Sequence, residues 1–144
     1  MRAVLGLDMG GKRIGVAAVQ AGTTIALPVG VIERKNREWV LSEIQKLLKS
    51  YKAEKIVVGL PVTLKGEMGI AAEKLMAEME WFKARLAVPV MMWDERLSSK
   101  EVERVLLEGD VSRKRRKEVI DQLAAQRILQ SYIDSQSGTG IRVS

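Results

Sequence analysis

The sequence predicts an α/β fold, a five-stranded mixed sheet with helices on its faces. Three observations carry this expectation. Short apolar runs separated by glycine-bearing turns fill the first 32 residues, the pattern of strands joined in a meander. From Val40 onward the apolar residues recur every three or four positions, as in helices packed by one face. Between those helical stretches stand two more compact apolar runs of strand length. The order βββαβαβαα demands antiparallel pairing first and crossover connections afterwards.

The first strand is Met1 to Asp8, with Val4, Leu5 and Leu7 as its apolar run, and Gly10-Gly11-Lys12 turns the chain. Arg13 to Val19 is the second strand, Ala21-Gly22-Thr23 a second turn, and Thr24 to Ile32 the third strand. Pro28 lacks the N–H a central strand must donate, so the third strand belongs at an edge. Val40, Ile44, Leu47, Leu48 and Tyr51 mark the first helix. Lys55 to Leu60 is a buried strand closed by Pro61, and Met68, Ala72, Leu75, Met79, Phe82 and Leu86 are the stripe of a second helix. Val88 to Trp93 is the fifth strand. Ser98 with Glu101 forms a capping-box signature for a short helix through Val102, Val105 and Leu106, ended by Gly109. A last helix runs from about Glu118 to Asp134. Residues 1–135 form one domain and 136–144 a flexible tail. Right-handed crossovers put the strands in the order 3-2-1-4-5. The C-terminal ends of strands one, four and five then share one edge, where α/β sheets carry their sites.

Composition narrows the chemistry. The 144 residues include no Cys and no His, which excludes disulfides, thiol nucleophiles, imidazole bases and metal sites built on either residue. No stretch is apolar enough to span a membrane, and the opening residues carry no signal-peptide pattern. Basic residues outnumber acidic ones 24 to 18. One run, Arg113-Lys114-Arg115-Arg116-Lys117, supplies most of the excess: without its five charges the net charge falls from +6 to +1. Such a run is either a solvated loop or a polyanion contact, here read as a mobile clamp over nucleic acid.

Acids stand at three places where they need a reason. Asp8 ends a central strand, where it is either a turn residue bonding nearby backbone or a carboxylate that handles metal or phosphate. Asp94 and Glu95 follow the fifth strand at the same edge, and strand alternation lets only one of them face a site. The bland alternative there is an ion pair with Arg96. Asp121 falls within about 60° of Ala124, Ala125, Ile128 and Tyr132 on a helical wheel, so it points toward the sheet. It is either in a buried ion pair or at a site. Three converging carboxylates repel unless a divalent cation lies between them, and an all-oxygen cluster selects Mg²⁺ or Mn²⁺. Such ions prepare water for attack on a phosphodiester, which suits a chain without histidine. Lys12, Arg13, Arg96 and residues 113–117 would hold the polyanion.

Gly6 to Lys12 has the spacing of a P-loop, but Arg13 stands where Ser or Thr should hold Mg²⁺, and a strand follows where a helix should begin. A phosphate-binding hairpin of the actin and sugar-kinase type would need a second domain.

Four segments, DMGGKRIGVA at 8–17, KIVVGLP at 55–61, DERLSS at 94–99 and IDQLAAQRILQSYID at 120–134, resemble the YqgF/RuvX family in order and spacing. The resemblance covers the chain up to about Asp134. It implies an RNase H-like fold related to Holliday-junction resolvases. It also implies a cytoplasmic nuclease associated with maturing the 5′ end of the small-subunit ribosomal RNA precursor, with branched DNA as a second substrate. Carried over by motif, the catalytic and metal-binding acids are Asp8, Glu95 and Asp121. Met9 stands where the family carries an aromatic, and Thr63 and Lys65 where Asn and Asp-Gly are common. A non-catalytic nucleic-acid-binding protein of the same fold and one half of a nucleotide-binding ATPase are the rival readings. The chain would act as a monomer or homodimer, and a two-fold junction would require the dimer.

Overall fold

The structure, a computed structural model, describes residues 2–61, 69–94 and 113–136, with 113–118 described by their backbone alone. Among the described residues eight elements follow in order: β1 (Val4–Met9), β2 (Arg13–Val19), β3 (Leu27–Glu33), α1 (Arg37–Tyr51), β4 (Lys55–Leu60), α2 (Ile70–Lys83), β5 (Val90–Asp94) and α3 (Arg113–Gln136). The strands form one sheet in the order β3-β2-β1-β4-β5, as expected, with Pro28 on the edge strand. β1 pairs antiparallel with β2 and parallel with β4, and β4 pairs parallel with β5. The C-terminal ends of β1, β4 and β5 therefore share an edge, and β2 begins there. The short helix expected at 98–109, the loop at 62–66 and the tail beyond residue 136 lie outside the described residues.

Alternation along β1 explains the layers. Leu5 and Leu7 face one way, into a core with Ile14, Val16, Ile44, Val58, Met79 and Phe82 under α1 and α2. Val4 faces the other way, into a second core with Ala17, Val19, Val57, Ala125, Ile128 and Leu129 under α3. Both faces of the central strands are thus covered, and their residues are nearly continuously apolar.

Most element boundaries shift by one to five residues from expectation, β1 to Val4–Met9, the second helix to Ile70–Lys83 and β5 to Val90–Asp94 among them, and two of the shifts have a clear cause. β3 starts at Leu27, not Thr24, because α3 takes the backbone groups before it. Gln130 donates to Thr24 O and accepts from Ala26 N, and Gln126 donates to Ala26 O. With those groups bonded to side chains, the ladder begins later. The last helix starts at Arg113 instead of about Glu118, so the basic run lies on helical backbone and is not a loop. Arg and Lys are good helix formers, and nothing in 113–118 breaks a helix. Asn36 caps α1, its side chain accepting from Trp39 N at 2.7 Å.

Candidate active site at the C-terminal edge of the central strand

β1 delivers Asp8 to the α3 face. Asp8 lies two residues beyond Gly6 and four beyond Val4, all on that face, and it pairs across the ladder with Gly15 of β2. Gly15 is where the helix comes closest. A Cβ there would lie only 1.9 Å from the backbone oxygen of Asp121, so only glycine admits α3 at this position. Gly6 does the same one layer further in, where a Cβ would meet the Leu129 side chain at 2.7 Å. The glycine opposite Asp8 thus sets Asp121 directly above the strand pair, which brings the two acids together.

Further along, α3 is fixed to the far strands. Lys55 Nζ donates to the Tyr132 hydroxyl at 2.6 Å, Trp93 Nε1 donates to Ser131 Oγ at 3.0 Å, and the Trp93 and Tyr132 rings meet edge to face. These contacts anchor the helix at one end while Gly15 fixes it at the other.

The electrostatics follow from this packing. Burial, with the charge of Asp121 as a second cause, pushes the Asp8 carboxyl up to about 6. Asp121 accepts a hydrogen bond from Arg13 Nε at 2.9 Å in a pair that is mostly shielded from water. Arg13 lies two residues before Gly15 on β2, hence on the same face.

The two expected acids that the structure describes, Asp8 and Asp121, are brought together. Glu95 and Arg96 lie outside the described residues, as do the side chains of Arg113, Lys114, Arg115, Arg116 and Lys117. Among the described residues no group of three acidic side chains gathers to hold a metal. Asp94 can be placed: it alternates with Trp93, which faces α3, so Asp94 belongs to the opposite face from Asp8 and Asp121. Lys12 is exposed at the hairpin turn. Arg13 is engaged by an acid of the site.

Sequence reasoning missed a support for that turn. Arg34 donates through Nε to Gly10 O at 2.6 Å, its backbone N–H donates to Lys12 O, and its guanidinium forms a two-pronged pair with Glu78 of α2 at 2.7 and 3.0 Å. The hairpin that follows Asp8 is thereby tied to the helix layer on the other face. Glu78 flanks the Leu75 and Met79 stripe on the helical wheel, a weak signal that could have marked it.

A metal with oxygen ligands fits what is present. The donors present are carboxylate oxygens, Asp8 with the charge of Asp121 beside it, in a chain without His or Cys, which is the donor chemistry a hard divalent ion takes.

A five-stranded mixed sheet in the order β3-β2-β1-β4-β5, its third strand antiparallel to its neighbour and its two crossover strands parallel, with helices on both faces, is an RNase H-like fold. The solved structures agree on the fold. Thermus thermophilus RuvC in complex with a Holliday junction superposes with a TM-score of 0.56 at 18% identity, over 96% of this chain and 98% of that one. A fowlpox virus resolvase bound to Holliday junction DNA gives 0.56 at 12%, over 92% and 97%. A family model, RuvX, described as Holliday junction resolvase, matches residues 2–135, and the chain belongs to that family. Its curated relatives include a protein of Caldanaerobacter subterraneus subsp. tengcongensis, 47% identical over 94% of this chain and 99% of its own length. Another, from Syntrophomonas wolfei, is 46% identical over 93% and 95%. Both are provisionally named pre-16S rRNA nucleases.

Proposed function

We propose that this chain is a divalent-metal-dependent nuclease of the cytoplasm that hydrolyses phosphodiester bonds of structured RNA and matures the 5′ end of the 16S ribosomal RNA precursor. The observation that carries the reading is the meeting of Asp8 and Asp121 over Gly15 at the C-terminal edge of the sheet. The names of its close relatives support RNA as substrate.

Asp8, Asp121 and Glu95, the residue after β5, would hold Mg²⁺ or Mn²⁺. When bound, the ion supplies an activated water and stabilises the leaving oxygen. The chain's own part is to fix the acids: β1 and Gly15 set their separation, and the Arg34 pair with Glu78 holds the turn between β1 and β2. Lys12, Arg96 and residues 113–117 would contact substrate phosphates.

Branched DNA is a second reading, favoured by the description of the family. A precursor RNA and a four-way junction, incubated side by side with Mn²⁺, separate the two. Wild type is expected to cut the RNA and release a defined 5′ end. Asp8→Asn is expected to lose more than roughly a hundredfold in rate, beyond the loss from a residue that merely supports a ligand. Equal cutting by both proteins would remove Asp8 from the chemistry, and cutting of the junction alone would favour DNA.

A further inference from the structure

Arg13 stands inside the candidate site with a charge that opposes the ion the site would bind. Its Nε donates to Asp121 Oδ2 at 2.9 Å, and the two side chains are 18% and 22% exposed. The strand that lets Asp121 approach, through Gly15, also carries this cation two residues earlier. A guanidinium here offsets the repulsion between Asp121 and Asp8. It would equally repel a divalent ion shared by those carboxylates. Arginine is also the side chain whose planar fork best matches phosphate, and Arg13 follows exposed Lys12 at the edge a substrate must approach.

This inference rests on the nuclease reading above. We propose that Arg13 is a positioning residue with two alternative anionic partners, the Asp121 carboxylate before substrate binds and a substrate phosphate afterwards. Divalent-cation binding and nucleic-acid binding then promote each other. Leaving Asp121 for the phosphate, Arg13 removes a cation from the acid pair at the moment the polyanion arrives. By linkage, RNA tightens ion binding by the same factor that the ion tightens RNA binding.

The test is a set of Mn²⁺ isotherms on the full chain, wild type and Arg13→Gln, with and without a phosphorothioate RNA duplex, the RNA-only isotherm being subtracted. Without RNA, Arg13→Gln is expected to bind Mn²⁺ about tenfold more tightly than wild type. RNA is expected to tighten Mn²⁺ binding in wild type by about that factor and hardly at all in the variant. Equal affinities of the two proteins without RNA, or equal tightening by RNA in both, would overturn the proposal. A wild type that takes up no Mn²⁺ in either condition would overturn the metal-site reading, and this one with it. A second measurement needs no substitution. The Nε–H resonance of Arg13 in wild type, followed by arginine-selective NMR, is expected to shift when the RNA duplex and Mg²⁺ are added together. A resonance that stays in place through that addition overturns the exchange of partners.

Discussion

In protein stripped of divalent ions, the Asp8 carboxyl holds its proton to about pH 6, because burial and the neighbouring Asp121 charge both disfavour the anion. The folded value lies above the ordinary one of 3.8, so the stability tied to this proton is fully present below about pH 3.8 and is lost as pH rises through about 6. Asparagine carries no charge at any pH. Asp8→Asn is therefore expected to gain on wild type by on the order of 2–3 kcal/mol between about pH 4 and pH 7, read from urea melts in chelator. A difference that stays flat with pH would contradict the buried placement. The variant would be more stable and inactive, as expected where a site works against its own fold. At this scale the sequence was partly legible. The wheel position of Asp121 showed that it faces the sheet, but its bond to Arg13 spans 108 positions and no local pattern announces it. Strand alternation left Asp94 and Glu95 open, and Asp94 was placed only once Trp93 was seen against α3.

Helix α3 is the element on which the site depends, and its height above the sheet is set by glycine. Gly15→Ala puts a methyl group against backbone, which cannot swing aside as a side chain would. The variant is expected to lose about 3 kcal/mol in denaturant melts, at the upper end for overpacking, and to lose Mn²⁺ binding as Asp121 lifts away from Asp8. Gly11→Ala, which meets nothing within 4 Å, serves as the control and should leave both unchanged. The type and order of the described elements were legible because hydrophobic period and crossover handedness determine them. Boundaries were less so where distant side chains decide: Gln126 and Gln130 take the backbone groups of residues 24–26, so β3 starts late. The helical start at Arg113 went unread because a run of like charges suggests a loop, although each residue in it favours a helix.

For the whole molecule, net charge predicts how nucleic acid is held. Five of the 24 basic residues lie in one run at the start of α3, beyond the point where that helix crosses Gly15. Replacing Arg113, Lys114, Arg115, Arg116 and Lys117 by glutamine should weaken RNA binding at low salt. The slope of log affinity against log salt should become shallower by up to about 4, with little dependence on RNA sequence. Fluorescence anisotropy across a salt series measures this, and an unchanged slope would show that the run does not meet phosphate. The sheet order itself was legible from the meander and the right-handed rule, and it places the edge at which β1 ends in Asp8.

At the centre of the proposed function stands a divalent ion shared by Asp8 and Asp121. Its most direct measurement is the melting temperature of wild type, Asp8→Asn and Asp121→Asn near neutral pH, with Mn²⁺ added stepwise after chelation. Binding to the folded chain alone raises wild-type stability by about 2.7 kcal/mol at a hundredfold excess over the dissociation constant. Wild type is expected to climb with Mn²⁺ and both variants to stay level. A wild-type melt indifferent to Mn²⁺, or variants that climb alongside it, would contradict the claim.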